Sequence, residues 1–192
     1  MRELVFLLEE ESAKALLQGL IPRLVPNEIL VVPRFIVFEG KQDLDRRLEG
    51  KLRGYLNPRA GFLVVRDQDR SDCRKVKQNL VNLCKKAGRP DAIVRVACRE
   101  LEAFYLGDLV AVEVGLGVTG IASRQDRASY RNPDQVQLPS RELEALTGRR
   151  YQKIAGSRSI APHLNLEAPR SRSFLHLIEA VRKIAVRLAA NS

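Results

Sequence analysis

The sequence predicts an α/β fold: a mainly parallel sheet flanked by helices, with a helical extension at the C-terminal end. Short, continuous apolar segments alternate with amphipathic ones through the first half of the chain, as in parallel sheets buried on both faces. Strand–helix units of this length indicate right-handed crossovers. Beyond residue 115 the chain is polar and rich in arginine until a final amphipathic stretch. We therefore expect an α/β core over residues 1–114 and a basic loop and helical extension over residues 115–192, packed on the same domain.

The first two predicted strands each precede a helix. Residues 4–8 (LVFLL) form the first apolar run, and apolar side chains recur with a 3.6-residue period over residues 12–24. Pro22 predicts a kink in that helix or an early end. A second strand over residues 35–38 (FIVF) leads into a polar helix over about residues 42–55.

The third and fourth strands are predicted over residues 62–65 and 92–98. Ser71 or Asp72 can cap the helix that joins them. The fourth strand leads directly into another helix. The chain closes with an amphipathic helix over residues 174–190.

The overall composition is typical of a folded domain. Apolar residues make up 45% of the chain and charged residues 29%. No apolar run approaches the ~20 residues that a membrane-spanning helix needs. The N-terminal residues are typical of a strand rather than a signal peptide. We therefore expect a cytoplasmic protein without membrane association.

The net charge of +10 and the pI near 9.9 favour a polyanionic partner, of which nucleic acid is the first candidate. Solubility alone also accounts for such a charge. Cys73, Cys84 and Cys98 form no CxxC pair, and the only histidines are His163 and His176. This set argues against a zinc site and predicts reduced thiols.

Acidic residues follow the predicted strands at the edge where open parallel sheets bind ligands. Glu9 follows the first strand, Asp67 and Asp69 follow the third, and Glu102 lies just beyond the fourth. Carboxylates gathered at one edge repel each other unless a cation or protonation compensates. Oxygen ligands without histidine or cysteine suit Mg²⁺ or Mn²⁺. The sequence therefore predicts a magnesium site at this edge.

Acidic residues after a strand also begin helices, because the helix dipole favours negative charge there. This is our interpretation of Glu10, Glu11 and Asp72. The joint pattern of strand, acid and helix, and then strand, Asp-x-Asp and helix, is more specific than a lone Asp-x-Asp.

The order of these motifs resembles the Toprim fold of topoisomerases, primases and OLD-type nucleases. In that fold a glutamate follows strand one and an Asp-x-Asp follows strand three, and OLD-type members add a Leu-Glu after strand four. Leu8-Glu9, Asp67-Gln68-Asp69 and Leu101-Glu102 stand at these places.

Segments across nearly the whole chain resemble more closely a Toprim-like family, domain of unknown function 4276. They are FLLEEESAKALLQGLIPRL, FEGKQDLDRRLEGKLRGY, VVRDQDRSDC, CRELEAFYLGD and YQKIAGSRSIAPHL. The resemblance implies a Toprim-like core, a partner ATPase and a role in defence against phage.

The sequence departs from the general Toprim pattern at two places. Glu10 stands where a glycine follows the first glutamate, and Ala13 stands where many Toprim nucleases carry a second acid. The loss of that ligand favours one metal ion over two. Glu39-Gly40 after the second strand retains the glycine and is a rival for the first motif, but strand order and the family resemblance favour Glu9.

The later region of the chain supplies many basic residues. Arg149, Arg150, Arg158, Arg170 and Arg172 are predicted nucleic-acid contacts, although a solvated face explains any single one. Lys153 is the predicted catalytic helper, because it lies in the stretch that resembles the family's YQK and would stabilise charge on a transferring phosphate. His163 is a second helper or a structural histidine. Gly115-x-Gly117-x-x-Gly120 matches the dinucleotide fingerprint only by its letters, and its polar context predicts a turn.

These observations lead to three hypotheses. In the first, Glu9, Asp67 and Asp69 hold Mg²⁺ or Mn²⁺, Glu102 is a further ligand or an outer-shell base, and the protein cleaves phosphodiester bonds of nucleic acid. In the second, the chain is a catalytically silent or conditionally active subunit that binds a partner ATPase or nucleic acid. In the third, it is a plain nucleic-acid-binding module.

Overall fold

A four-stranded parallel sheet with strand order β2-β1-β3-β4 organises the fold. The computed structural model describes residues 1–190. The strands are β1 (Arg2–Leu8), β2 (Val31–Val37), β3 (Ala60–Asp67) and β4 (Ile93–Ala97). This arrangement confirms the predicted α/β class.

Helices alternate with the strands and then continue to the end of the described chain. They are α1 (Glu11–Leu24), α2 (Lys41–Arg53), α3 (Cys73–Lys86), α4 (Glu102–Leu106), α5 (Leu109–Leu116), α6 (Ala128–Arg131), α7 (Pro139–Leu146), α8 (Lys153–Ile160) and α9 (Arg172–Ala190). Short 3₁₀ turns lie at Ala122–Arg124, Pro133–Gln135 and Ala161–His163.

Both faces of the sheet are covered, because alternate residues of a strand point to opposite sides. On one face, β-strand residues pack against α2 and α3; these are Val5, Leu7, Phe62, Val64 and Val94. On the other face, a larger core joins the sheet to α1, α9 and the helices that follow β4; its buried strand residues are Leu4, Phe6, Leu8, Leu63, Val65 and Ala97. Within this layer α8 lies against α1 and α5.

Two predictions, the bounds of the second strand and the effect of Pro22 on the first helix, need correction. The second strand begins at Val31 rather than at residue 35 and includes Pro33. Phe38 N donates to Leu8 O (2.9 Å), and because N–H groups alternate along a strand, the Pro33 nitrogen faces away from β1. An edge strand tolerates proline there. Pro22 neither ends nor interrupts α1, which continues to Leu24, since a proline in the last turn removes few helical hydrogen bonds.

The glycine-rich segment belongs partly to a helix rather than to a turn alone. Gly115 lies inside α5, and a β-carbon at this position would lie 2.7 Å from Ile160 Cα and 2.7 Å from Ser159 O. Gly117 ends the helix with φ of 61°. The glycine at 115 therefore permits α5 and α8 to pack backbone against backbone.

Cys73, Cys84 and Cys98 are free thiols. Within residues 1–190, no helix has both the length and the apolar character needed to cross a membrane.

Candidate active site

Two predicted site residues meet at the carboxyl end of the sheet. Strands β1 and β3 are neighbours in register, so Glu9 and Asp67 emerge side by side. A Glu9 carboxylate oxygen (Oε2) accepts a hydrogen bond from Asp67 N at 3.0 Å. Arg66 lies beside Glu9, with 4.0 Å between Nε and Oε2, while its Nη1 binds Asp45 at 2.8 Å. The two motifs therefore converge although 58 residues separate them.

Asp67 has the most acidic surroundings of this edge. Burial raises the pKa of the Asp67 carboxyl well above its usual range, and the charges of Glu102, Glu9, Glu10 and Asp69 raise it further. We call these five residues the acid cluster. Burial also raises the pKa of Glu9, and this effect outweighs the hydrogen bond from Asp67 N, which lowers it. Burial and the neighbouring acids therefore both oppose ionisation of Asp67.

Asp69 is paired with a lysine that sequence analysis did not single out. Lys41, the first residue of α2, places Nζ 2.7 Å from Asp69 Oδ2. Asp69 adopts a left-handed backbone conformation (φ 55°), and so does Arg99 (φ 63°). Asp69 N donates to Arg99 O at 2.7 Å, which ties the loop after β3 to the loop after β4. Such non-glycine conformations persist where surrounding contacts impose them.

The predicted metal ligands Glu9, Asp67 and Asp69 do not form one three-carboxylate site in this arrangement. No group of three or more His, Cys, Asp or Glu side chains within residues 1–190 is placed to hold a metal ion. Glu9 and Asp67 are adjacent, whereas Asp69 is paired with Lys41. A three-carboxylate set therefore requires Asp69 to leave the lysine.

Lys153, the predicted helper, begins α8 and reaches the acid cluster. Its Nζ lies 3.5 Å from Glu10 Oε2. Partial burial opposes the charge on Lys153, but Glu10, Glu102 and Asp67 outweigh it, so the pKa of Lys153 is raised. Glu10 is therefore more than a helix-starting residue: it makes no capping bond to α1 and instead accepts from Ser12 Oγ and Lys153.

Glu102 is fully buried at the start of α4, and Tyr151 holds it there. Tyr151 Oη donates to Glu102 Oε1 at 2.8 Å. The other oxygen, Oε2, has no hydrogen-bond partner in the described part of the chain. Burial raises the pKa of Glu102, and Lys153 and Tyr151 lower it. Sequence analysis did not identify Tyr151, although its position two residues before Lys153 was an available signal.

The Tyr151→Phe variant is expected to lose about 1–3 kcal/mol of unfolding free energy at neutral pH, because it removes a donor from a buried carboxyl. The matched control is Tyr130→Phe. The Tyr130 hydroxyl also donates to a carboxylate, that of Glu142, which is only partly buried and can be rehydrated. Urea denaturation of both variants measures the difference. Equal losses would contradict a special role for Tyr151.

The five predicted arginines lie in different surroundings. Arg149, Arg150 and Arg158 are exposed on and before α8, and Arg150 donates to Gly117 O at 3.3 Å. Arg170 pairs with Asp126 at 2.8 Å, and Arg172 begins α9. Within residues 1–190 no ion pair joins any of them to the acid cluster.

Glu39, the rival for the first motif, and His163, the second candidate helper, are both exposed. Glu39 is exposed after edge strand β2, where its backbone N donates to Asp43 Oδ2 at 3.3 Å. His163 is exposed in the 3₁₀ turn after α8. Asp72 caps α3 by accepting from Arg74 N and Lys75 N, as predicted.

Comparison with known proteins agrees with this architecture. The chain has a fold similar to that of the C-terminal region of the Burkholderia pseudomallei OLD protein, with a TM-score of 0.57 and 16% sequence identity over 95% of this chain and 98% of the other. No curated protein matches the chain. A family described as a domain of unknown function, DUF4276, matches residues 8–182. The chain therefore belongs to the DUF4276 family, and its α/β fold is similar to that of the C-terminal region of the OLD protein.

Proposed function

We propose that this protein is a metal-dependent, nuclease-like enzyme that cleaves phosphodiester bonds in nucleic acid. One observation carries the proposal: Glu9 Oε2 accepts a hydrogen bond from Asp67 N at the shared carboxyl edge of β1 and β3. This contact joins the Glu9 carboxylate to the backbone of Asp67, and the Asp67 carboxyl in turn interacts electrostatically with Glu9 and with the buried Glu102. The fold similarity to the OLD protein's C-terminal region supports the same class.

Glu9, Asp67 and Asp69 would hold Mg²⁺ or Mn²⁺. Their donor atoms are all carboxylate oxygens, the type that these cations prefer. Burial first, and the neighbouring acids second, raise the pKa values of Glu9 and Asp67, and a divalent cation at this edge would favour their ionised forms. When bound, the ion would polarise the scissile phosphate and lower the pKa of an attacking water.

The neighbouring side chains have separate parts in this proposal. Glu102 serves as an outer-shell base, because its free Oε2 can accept a proton while Tyr151 holds Oε1. Lys153, about half exposed and drawn in by Glu10, stabilises negative charge on the phosphate. The positive net charge attracts the polyanionic substrate.

The purified chain should be incubated with labelled DNA, RNA and tRNA, in Mg²⁺, Mn²⁺ or EDTA. We expect cleavage of one nucleic-acid class with either metal and none in EDTA. Metal should also raise the melting temperature by binding the folded state. Undiminished cleavage in EDTA, or no cleavage together with no metal-dependent stabilisation, contradicts the proposal.

A second candidate function has its own observation. Lys41 forms an ion pair with Asp69, and Glu10 and Ala13 depart from the Toprim pattern. Both observations favour a catalytically silent or conditionally active subunit of an ATPase complex in anti-phage defence. In the same assay this candidate predicts no cleavage by the isolated chain. Cleavage that appears only when a partner ATPase is added would distinguish a conditional subunit from a silent one.

A further inference from the structure

A groove with a positive lining runs along the outer edge of β4, beside the acid cluster. It encloses about 560 Å³ between α3 and α9. Its cationic side chains are Lys77, Arg95, Arg172 and His176, the last counted when protonated. Arg172 was one of the predicted nucleic-acid contacts, whereas the other three were not.

The permanent cations of the groove lack close acidic partners. Among the ion pairs formed within residues 1–190, none involves Lys77, Arg95 or Arg172. Among the described residues, the partly buried Arg95 donates only to neutral carbonyls, His176 O (2.8 Å) and Val94 O (2.9 Å). Burial lowers the pKa of Arg95, with Glu179 opposing at longer range. A desolvated guanidinium of this kind favours an anion.

The one carboxylate in the groove lining, that of Asp134, already accepts hydrogen bonds from two serines. Asp134 accepts from Ser171 Oγ at 2.6 Å, Ser173 Oγ at 3.0 Å and Ser173 N at 3.0 Å. These bonds hold Asp134 at the N-terminal end of α9, and its single negative charge is outnumbered by the three permanent cations of the lining. The ligand contacts would therefore come from the side chains of Lys77, Arg95 and Arg172.

The groove opens next to the acid cluster. Cys98 in its lining precedes Arg99, whose carbonyl oxygen accepts from Asp69 N at 2.7 Å. Cys73, also in the lining, is the first residue of α3, four positions after Asp69. The lining therefore borders the loops that carry Asp69 and Arg99.

We propose that this groove holds the sugar–phosphate backbone of a single nucleic-acid strand and leads it to the acid cluster. The inference deepens the proposed function and rests on it for the identity of the polyanion. A volume within the roughly 300–1,000 Å³ of ordinary ligand sites suits one strand rather than a duplex. The lining contains no Phe, Tyr or Trp to stack bases, so recognition would be independent of sequence.

The test compares two charge-reversed pairs. Lys77→Glu with Arg172→Glu alters the groove, and Lys51→Glu with Lys85→Glu changes the net charge equally through exposed lysines of α2 and α3. Fluorescence anisotropy with short single-stranded DNA and RNA is measured in EDTA over a range of salt concentrations. We expect at least about tenfold weaker binding for the groove pair, and a loss of about 1.4 from the salt slope for two phosphate contacts. The control pair should change affinity by about twofold at most.

A second readout uses the thiols. An oligonucleotide in the groove should slow alkylation of Cys73 and Cys98, while the buried Cys84 stays unreactive throughout. Equal losses in both pairs, or affinity lost instead on Arg149→Glu with Arg158→Glu, would overturn the inference. Because binding is measured without metal, the two proposals can fail separately. If the protein binds nucleic acid in the groove but never cleaves it, only the proposed enzymatic function is contradicted. If the groove pair cleaves as well as the parent does, only the groove inference is contradicted.

Discussion

The Asp67→Asn variant is expected to reduce Mg²⁺-dependent cleavage to background while it keeps the fold. Asn lacks the charge that a hard cation requires, but it matches Asp in size and leaves the backbone bond from Asp67 N to Glu9 Oε2 in place. The metal-dependent rise in melting temperature should vanish too. At a metal concentration 100 times the dissociation constant, metal binding adds about 2.7 kcal/mol to the unfolding free energy of the parent.

The same variant should be more stable than the parent without metal at neutral pH. The folded-state pKa of Asp67 is raised above 3.8, mainly by burial. Between 3.8 and the raised value the folded state binds more protons than the unfolded state, so the stability of the parent falls as pH rises through that window. Asn does not titrate, and the advantage of the variant should disappear as pH falls toward 3.8.

Cleavage gels and thermal unfolding with Mg²⁺ or EDTA check both parts. Asp91→Asn is the matched control, because Asp91 pairs with Arg187 at the opposite end of the sheet. That control should retain cleavage and the response to metal. If Asp67→Asn cuts as well as the parent does, the metal assignment is wrong.

The Gly115→Ala variant is expected to lose about 2 kcal/mol or more of unfolding free energy. The added methyl would lie 2.7 Å from backbone atoms of both Ser159 and Ile160, so α5 and α8 must separate. For a chain of this size the melting temperature should fall by roughly 4–8 °C. Because α8 begins with Lys153, separation would also move that lysine relative to the acid cluster.

Gly50→Ala provides the matched control by making the same chemical change in a helix. Nothing lies within 4 Å of a β-carbon at Gly50, which is exposed in α2. Alanine there should stabilise by about 0.5–1 kcal/mol through helix propensity. Differential scanning calorimetry shows whether each variant lowers or raises the melting temperature, and the two changes should have opposite signs. A Gly115→Ala protein as stable as the parent would contradict the close packing of α5 and α8.

The meeting of Glu9 and Asp67 could be foreseen, because parallel strands end at the same edge and both residues directly follow apolar runs. Local signals also located most helices and the Asp72 cap. They failed at the bounds of β2, where pairing with β1 extends a strand across Pro33. They failed again at Gly115, whose close contact with α8 depends on residues more than 40 positions away.

The amino-acid sequence alone thus determined the α/β class, the family resemblance and the acidic edge, since each depends on periodicity or on short motifs. Only the tertiary structure decided which side chains pair with those acids. Lys41 reaches Asp69 across 28 residues and Tyr151 reaches Glu102 across 49. No local pattern encodes such pairs, because they arise when helices from different parts of the chain pack on the sheet. The same packing creates the groove between α3, β4 and α9.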